Sequence, residues 1–344
     1  MNCPICNCSK IDKIREIKSD VFDDSRLYKN IVILKCSRCG HVFNKLTKKD
    51  IDSLMIYYNE EYAPSNLSYS CGDRPGSDTK DAGKRYKQLY AFLSRYITKK
   101  SKILDVGCAM GGFLRFLRKK GYENLYGIDP IKEYVNASDN ENIKVGDVSS
   151  VPFESNSFDV VILDQVLEHV FDLKLALSEI KRVLIYGGLC CVSVPNEQQY
   201  DDVYFYLMKE HVQHFNYLGL KRLANLNGFE VINNNKTKSK MIGTMDLPNL
   251  SVILKPSGTT YCWGIGREFM YKYANTRLKN LSLTLVDDTP EKQKQTFKGM
   301  RVYSSDVLQY SSKDSFLIIT ASMHKNELIK KAKRIGYRGE IIEI

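Results

Sequence analysis

Four cysteines near the start of the chain stand at a spacing suited to holding a metal ion. Cys3 and Cys6 form C-P-I-C, Cys36 and Cys39 form C-S-R-C, and 29 residues separate the two pairs. Each C-x2-C turn presents two sulfurs at the separation a tetrahedral zinc ion requires, and Gly40 lets the second turn close tightly. Four thiolates fill the coordination shell and leave no position for water, so the expected ion is structural and not catalytic. Cys8 and His41 are spare donors beside a complete set and are read as ordinary structural residues. The chain has ten cysteines, five of them in the first 39 residues, and its start, MNCPICNCSK, lacks the apolar core of an export signal. Both facts favour metal ligation over disulfides.

A second constellation begins at Lys102. KILDVGCAMGGFLRFLRKKG reads as an apolar strand, a Gly-rich turn and a helix with Phe113, Phe116 and Leu117 on one face. Gly107 and Gly111 let the backbone approach a ligand, and the helix start offers unpaired N–H groups. NLYGIDP ends a second strand on Asp129, about 20 residues past the turn, where a carboxylate can accept from both hydroxyls of a ribose. A third strand ends IKVGDV, which places Asp147 near an adenine amino group. The fourth, FDVVILDQVLEHV, runs into a turn holding Asp164, Gln165, Glu168 and His169. A helix over 172–184, a Gly187-Gly188 turn and a fifth strand, GLCCVSVPN, follow. This alternation predicts an open, mostly parallel sheet with its ligand above the C-terminal strand ends. The dinucleotide fingerprint G-x-G-x-x-G is not matched, because Ala109 stands at its second glycine.

Beyond the fifth strand, EHVQHF supplies Glu210, His211 and His214. Three of the five histidines, His169, His211 and His214, thus fall on the two turns expected to border the site. Histidine suits proton transfer near neutral pH, so the candidate general base is His211 first and His169 second. A catalytic metal is not expected at E-H-x-x-H, since the zinc-protease order is H-E-x-x-H.

The elements that must position these groups follow from length and pattern. At 344 residues the chain has room for two or more compact units. With 43% hydrophobic and 26% charged residues it is compositionally globular. Lys and Arg exceed Asp and Glu by 11, which favours an anionic partner such as a nucleotide, a phosphorylated metabolite or a nucleic acid. The basic residues are scattered as solvated faces. No apolar run reaches the length of a membrane span, and a cytoplasmic location is expected. A Tyr-rich connector with Tyr57, Tyr58, Tyr62 and Tyr69 reads equally as a lid over a ligand or as packing between domains. Residues 82–97 have helical spacing. The tail carries SLTLVDDTP, GMRVYSSDVL, DSFLIITAS, a helix around Leu328, Ala332 and Ile335, and GEIIEI, a pattern of a small α/β domain.

DVGCAMG, the acidic end of the second strand, the Gly-Asp pair and FDVVILDQVLEHV resemble class I S-adenosylmethionine-dependent methyltransferases over roughly residues 85–256. The resemblance implies that Asp105, Gly107 and Gly111 surround the methionine part of that cofactor, Asp129 its ribose and Asp147 its adenine, with Gln165 at the pocket edge. Cys108, Val148, Asp164 and Tyr62 complete the implied cofactor-binding set. It also implies an α/β, Rossmann-like class I sheet, with the segment after the fifth strand lying across the sulfonium. His211, His169, Glu210 and His214 are the implied catalytic set there.

The order of modules resembles the zinc-containing sugar C-methyltransferase family across nearly the whole chain. These are a zinc-binding module (1–50), the connector (51–84), the methyltransferase core (85–256) and a C-terminal α/β domain (257–344). That family implies structural zinc and a keto-sugar on a nucleoside diphosphate, methylated at carbon through an enolate, as in surface-polysaccharide or deoxysugar biosynthesis. Met208 stands where the family commonly has Tyr in Y-x-E-H, and the tail is shorter than usual, so carbon and oxygen methylation of the sugar both stay open. The alternatives are an RNA base methyltransferase with a Cys-rich front module and a non-catalytic scaffold that keeps the cofactor pocket. Nucleic acid is the less favoured partner, because the turn after the fourth strand reads DQVLEH and not the N-P-P-Y type that grips a flipped base. Oligomeric state is open.

Overall fold

The computed structural model of the protein describes residues 1–18, 27–62, 76–140, 142–200, 204–205, 209–240, 246–281, 283–311 and 315–343. Tyr69 and Met208 lie outside the described residues. The chain divides into two compact units, residues 1–226 with 231–255, and residues 227–230 with 256–344. The segments read from sequence as front module and connector, and nearly all of the core, fall in the first unit.

That unit opens with strands β1 (Ile11–Lys18), β2 (Asn30–Cys36) and β3 (Val42–Lys45). Helix α1 (Lys48–Tyr57) starts on a capping box. Thr47 Oγ1 accepts from the Asp50 amide, and the Asp50 carboxylate accepts from the Thr47 amide at 2.8 Å. Helix α2 (Lys80–Leu93) is capped by Thr79 and buries Tyr86, Leu89, Phe92 and Leu93. It begins two residues before the predicted 82–97 segment, and a 3-10 turn, Ser94–Tyr96, ends it early. Then come β4 (Ile103–Val106), α3 (Gly112–Lys119), β5 (Leu125–Asp129), α4 (Lys132–Asn136), β6 (Ile143–Val145), β7 (Phe158–Asp164), α5 (Leu173–Val183) and β8 (Leu184–Pro195). The unit closes with β9 (Gln213–His214), α6 (Tyr217–Leu226), β10 (Phe229–Lys240) and β11 (Asp246–Pro256).

Seven of these strands form one sheet in the order β10-β11-β8-β7-β4-β5-β6. Strands β8, β7, β4, β5 and β6 are parallel, and β11 runs antiparallel to β8. Counted within the sheet this is 3-2-1-4-5-7-6, with the last strand inserted, whereas a dinucleotide fold runs 3-2-1-4-5-6. The order reverses between β4 and β7, so the crevice of an open sheet lies at their C-terminal ends. All four residues of β4 are buried, as the centre of a doubly covered parallel sheet requires. The predicted Gly187-Gly188 turn is absorbed into β8, where pairing with β7 jumps from Phe158↔Leu184 to Val160↔Leu189. A smaller sheet, β1-β2-β3-β9, carries the front module.

The second unit holds β12 (Thr260–Trp263), α7 (Arg267–Asn275), β13 (Leu283–Val286), α8 (Pro290–Gln293), β14 (Thr296–Phe297), β15 (Met300–Tyr303), β16 (Phe316–Ile319), α9 (Lys325–Ile335) and β17 (Glu340–Glu343). Its sheet runs β14-β15-β13-β12-β16-β17, and β12 is the central strand. Sequence reading passed over β12 because four residues opening on Thr260 show no clear period. Its burial is tertiary: Trp263 is 2% exposed and packs with Val286, Leu317 and Ile319.

Candidate functional site

The four paired cysteines converge. Cys3 Sγ lies 3.5 Å from Cys39 Sγ, Cys6 Sγ lies 3.6 Å from Cys36 Sγ, and all four sulfurs fall within 4.8 Å of one another. A tetrahedral shell with zinc–sulfur bonds of about 2.3 Å sets its sulfurs about 3.8 Å apart, so the donor set fits such an ion. Cys8 stays outside the cluster and accepts from the Lys10 amide. His41 also stays outside: its Nε2 is 2.8 Å from Gln213 Oε1.

The front sheet also fixes the E-H-x-x-H segment in place. Its last strand is β9, which pairs with β3 through Val42↔His214 and Phe43↔Gln213. Asn44 donates to the His211 carbonyl at 2.9 Å, its Oδ1 lies 2.8 Å from His214 Nε2, and its backbone amide bonds Val212 at 3.0 Å. His214, expected beside the chemistry, is instead a buried strut against Phe205 and Tyr200. The alternation of β9 explains this, since neighbouring strand residues face opposite ways and register with β3 turns His214 to Asn44. Burial holds His214 uncharged, its imidazolium pKa lowered to about 3.

The cavity lies at the switch point. Its volume is about 630 Å³, within the range of small-ligand pockets. The turn after β4, residues Gly107 to Ala109, lines one side; Asp129 and Tyr134 line another; and Asp147 and Val148 line a third. Glycine is required at position 107, which has φ +71°, because a Cβ there would come within 2.6 Å of Val166 Cγ2. Gly111 does not line the cavity. It caps α3 in the left-handed region at φ 76°, and so sets the direction of the helix whose start faces the site. Two non-glycine residues also adopt positive φ on the cavity wall, Ala109 at 45° and Gln165 at 60°, an arrangement that stores strain at both turns.

Asp129 is 5% exposed and accepts from the Ala109 amide at 2.8 Å and the Ile131 amide at 2.9 Å. Burial raises its carboxyl to about 6, against the pull of those two amides. Burial and the neighbouring Asp164 push Asp105 well above the usual carboxylate range. Asp164 forms an ion pair with Arg85, which rises from α2 into the same cavity. Arg85 has no motif around it and was missed in sequence. Asp105, Asp129, Asp147 and Asp164, with Arg85, thus bring four carboxyl groups and one guanidinium to the cavity wall.

Past Gln165 the wall changes character. Tyr58, Tyr62, His169, Glu210 and His211 line it, and Tyr58 Oη lies 2.7 Å from His169 Nδ1. The Tyr-rich connector thus borders the ligand space, one of its two expected roles. The rings of His169 and His211 meet edge-on at 4.7 Å. Burial lowers His169 to about 4 and takes His211 well below the usual range, whereas burial raises Glu210 to about 7. Both histidines are therefore neutral at physiological pH. Glu168 sits behind them, 1% exposed, with neither carboxylate oxygen hydrogen-bonded.

Residues 79–234 match the family model of a methyltransferase domain. The chain is also similar to an uncharacterized methyltransferase of Schizosaccharomyces pombe, 30% identical over 119 residues that cover 29% of this chain and 42% of that protein. It resembles a ubiquinone/menaquinone biosynthesis C-methyltransferase of Campylobacter jejuni, 29% identical over 36% of this chain and 57% of that one. A solved SAM-dependent methyltransferase from Methanosarcina mazei overlays 49% of this chain and 98% of its own at 20% identity, with a TM-score of 0.43. The chain spans about half the length of the curated relatives it matches. The matched segment contains the glycine turn, Asp129, Asp147, the Asp164–His169 turn and the E-H-x-x-H segment. Among the described residues, no helix is long and apolar enough to cross a membrane.

Proposed function

We propose that this protein is an S-adenosylmethionine-dependent methyltransferase whose acceptor is a nucleotide-linked or otherwise phosphorylated sugar, of the kind used in surface-polysaccharide or deoxysugar biosynthesis. The observation that carries the reading is the position of Asp129. Within the segment that matches the methyltransferase domain, its carboxylate is pinned by two turn amides and faces the same cavity as the glycine turn. There it can take ribose hydroxyls, while Asp105 and the Arg85–Asp164 pair offer hydrogen-bonding groups to the polar end of the methionine part. S-adenosylmethionine supplies the methyl group. The chain's own residues align the acceptor for in-line displacement and keep water from the reacting atoms.

The polar wall beyond Gln165 supports an oxygen-rich acceptor. Tyr58, His169, Glu210 and His211 offer donors and acceptors on the far side of the cavity, and the net charge of +11 favours a phosphorylated partner. The cysteine cluster is read as a closed structural zinc site. Its task is to hold the front sheet, and through the pairing of β3 with β9 to hold Glu210 and His211 against the cavity.

The test is calorimetric titration with S-adenosylhomocysteine, followed by a panel of sugar nucleotides added to the complex, with an RNA fragment as control. Binding of the first and then of a sugar nucleotide is expected. Failure of S-adenosylhomocysteine to bind overturns the reading of the glycine turn, and binding of RNA alone overturns the sugar.

A further inference from the structure

We propose that Glu168, His169 and His211 form a site for one divalent transition-metal cation, separate from the cysteine cluster, whose open positions take an oxygen of the acceptor. One ligand atom from each of the three residues lies within 4.8 Å of the other two. Both Glu168 oxygens and His211 Nδ1 are buried without a hydrogen-bond partner. A carboxylate sealed from water and left unpaired is costly, and a cation shared by the three residues removes that cost.

The surroundings are those of a ligand set. His169 Nδ1 is held by Tyr58 Oη at 2.7 Å, the kind of outer partner that fixes the ring of a metal-bound histidine. The His211 carbonyl is held by Asn44, and the Glu168 carbonyl accepts from the Val212 amide at 2.8 Å, which ties the two ligand-bearing turns together. Two imidazoles and one carboxylate suit Mn²⁺, Fe²⁺, Co²⁺ or Zn²⁺ and leave coordination positions open. A bound cation sets its ligand atoms roughly 3–3.5 Å apart, so loading draws the three side chains together. Both histidines line the cavity, so the open positions face the acceptor.

The ion's role rests on the methyltransferase reading; the site itself does not. A hydroxyl oxygen bound to a divalent cation loses its proton far more readily than a free one. That proton passes to water, the oxygen–methyl bond forms as the methyl–sulfur bond breaks, and the sulfonium leaves as a neutral thioether. This places the ion where a base was sought, beside two histidines whose rings are then ligands. E-H-x-x-H itself is not the motif, because His214 is turned to Asn44.

The test is metal binding by the full chain, stripped with a chelator and reloaded with Co²⁺, read by elemental analysis and by visible absorption. Two equivalents are expected, one with the thiolate-to-cobalt charge-transfer band of the cysteine cluster and one with only the weak bands of nitrogen and oxygen ligands. Glu168→Gln and, separately, His211→Asn should each lose the second equivalent and keep the first, with a cooperative thermal transition and unchanged binding of S-adenosylhomocysteine. A wild-type chain that takes up only the thiolate-bound equivalent overturns the proposal. So does a second equivalent that persists in both variants. Because S-adenosylhomocysteine binding is read in the same samples, failure of the metal site and failure of the methyltransferase reading give different results.

Discussion

The two units contain the same device built twice, and its aspartate meets different partners in each. In the core, β6-β5-β4-β7-β8 run parallel in the order 3-2-1-4-5; in the tail, β15-β13-β12-β16-β17 do the same. Both place a glycine turn after the first strand, Gly107 at φ +71° and Gly264 at φ +96°. Both end the second strand region on an aspartate that pins that turn. Asp129 accepts from Ala109 and Ile131, and Asp287 accepts from Ile265 at 2.8 Å and Thr289 at 3.0 Å. One difference is a side chain. Lys292 Nζ sits 2.8 Å from Asp287, and no lysine does the same for Asp129 among the described ion pairs. Burial alone would raise Asp287, but the bonds from Lys292 and Thr289 outweigh it and hold the carboxyl below its usual range, whereas Asp129 is raised to about 6. The same strand order thus carries an aspartate at the same turn in both units, paired with a lysine in one and not in the other among the described ion pairs.

The largest expected effect that tests this contrast is from the aspartates themselves. Asp129→Ala should weaken S-adenosylhomocysteine about 100-fold, the loss of two hydrogen bonds to a charged acceptor. Asp287→Ala should leave that affinity unchanged within a factor of two in the same calorimetric assay. Equal losses in both variants would mean that the two units are not functionally distinct.

The next effect is in pH. Asp129 must be ionised to accept both ribose hydroxyls, so affinity for S-adenosylhomocysteine should be flat above about pH 7. It should fall roughly tenfold per unit below about 6. Stability of the ligand-free fold responds with the opposite sign. A carboxyl raised above its unfolded value near 3.9 contributes most when protonated in both states, and that contribution is lost as pH rises through about 6. Affinity that stays level down to pH 5 would show that the ribose is held elsewhere.

The smallest effect sharpens the comparison most. Lys292 is 40% exposed, so Lys292→Ala should cost the tail under about 1 kcal/mol in a denaturant titration. If Lys292 only staples the turn, adenosine nucleotides should show no more affinity for the variant than for the wild type. Gain of such binding would mean that the tail is a ligand site closed by its own lysine.

Some of this was legible from neighbours in the chain. The C-x2-C pairs, the turn at Gly107 and the acidic end of β5 are set by short spacings, because turn geometry and strand ends place residues a few positions apart in a fixed relation. The helix boundaries near 80, 94 and 173 and the β8 irregularity moved by a few residues, where caps and cross-strand register decide. His214 was misplaced for the same reason: nothing local fixes which face of a two-residue strand turns toward the site.

What the sequence determined by itself was the type of sheet, the grouping of four cysteines and the wall of the cavity nearest the glycine turn. What only the tertiary structure decided was the chemistry on the opposite wall. Tyr58 meets His169 across 111 residues of chain, Asn44 holds the His211 carbonyl across 167, and Arg85 reaches Asp164 across 79. The pairing of β9 with β3 brings Glu210 and His211 to the turn that carries Glu168 and His169. No spacing rule reaches that far, because such contacts are fixed by which strands pair and which faces are buried, and these depend on the packing of the whole unit.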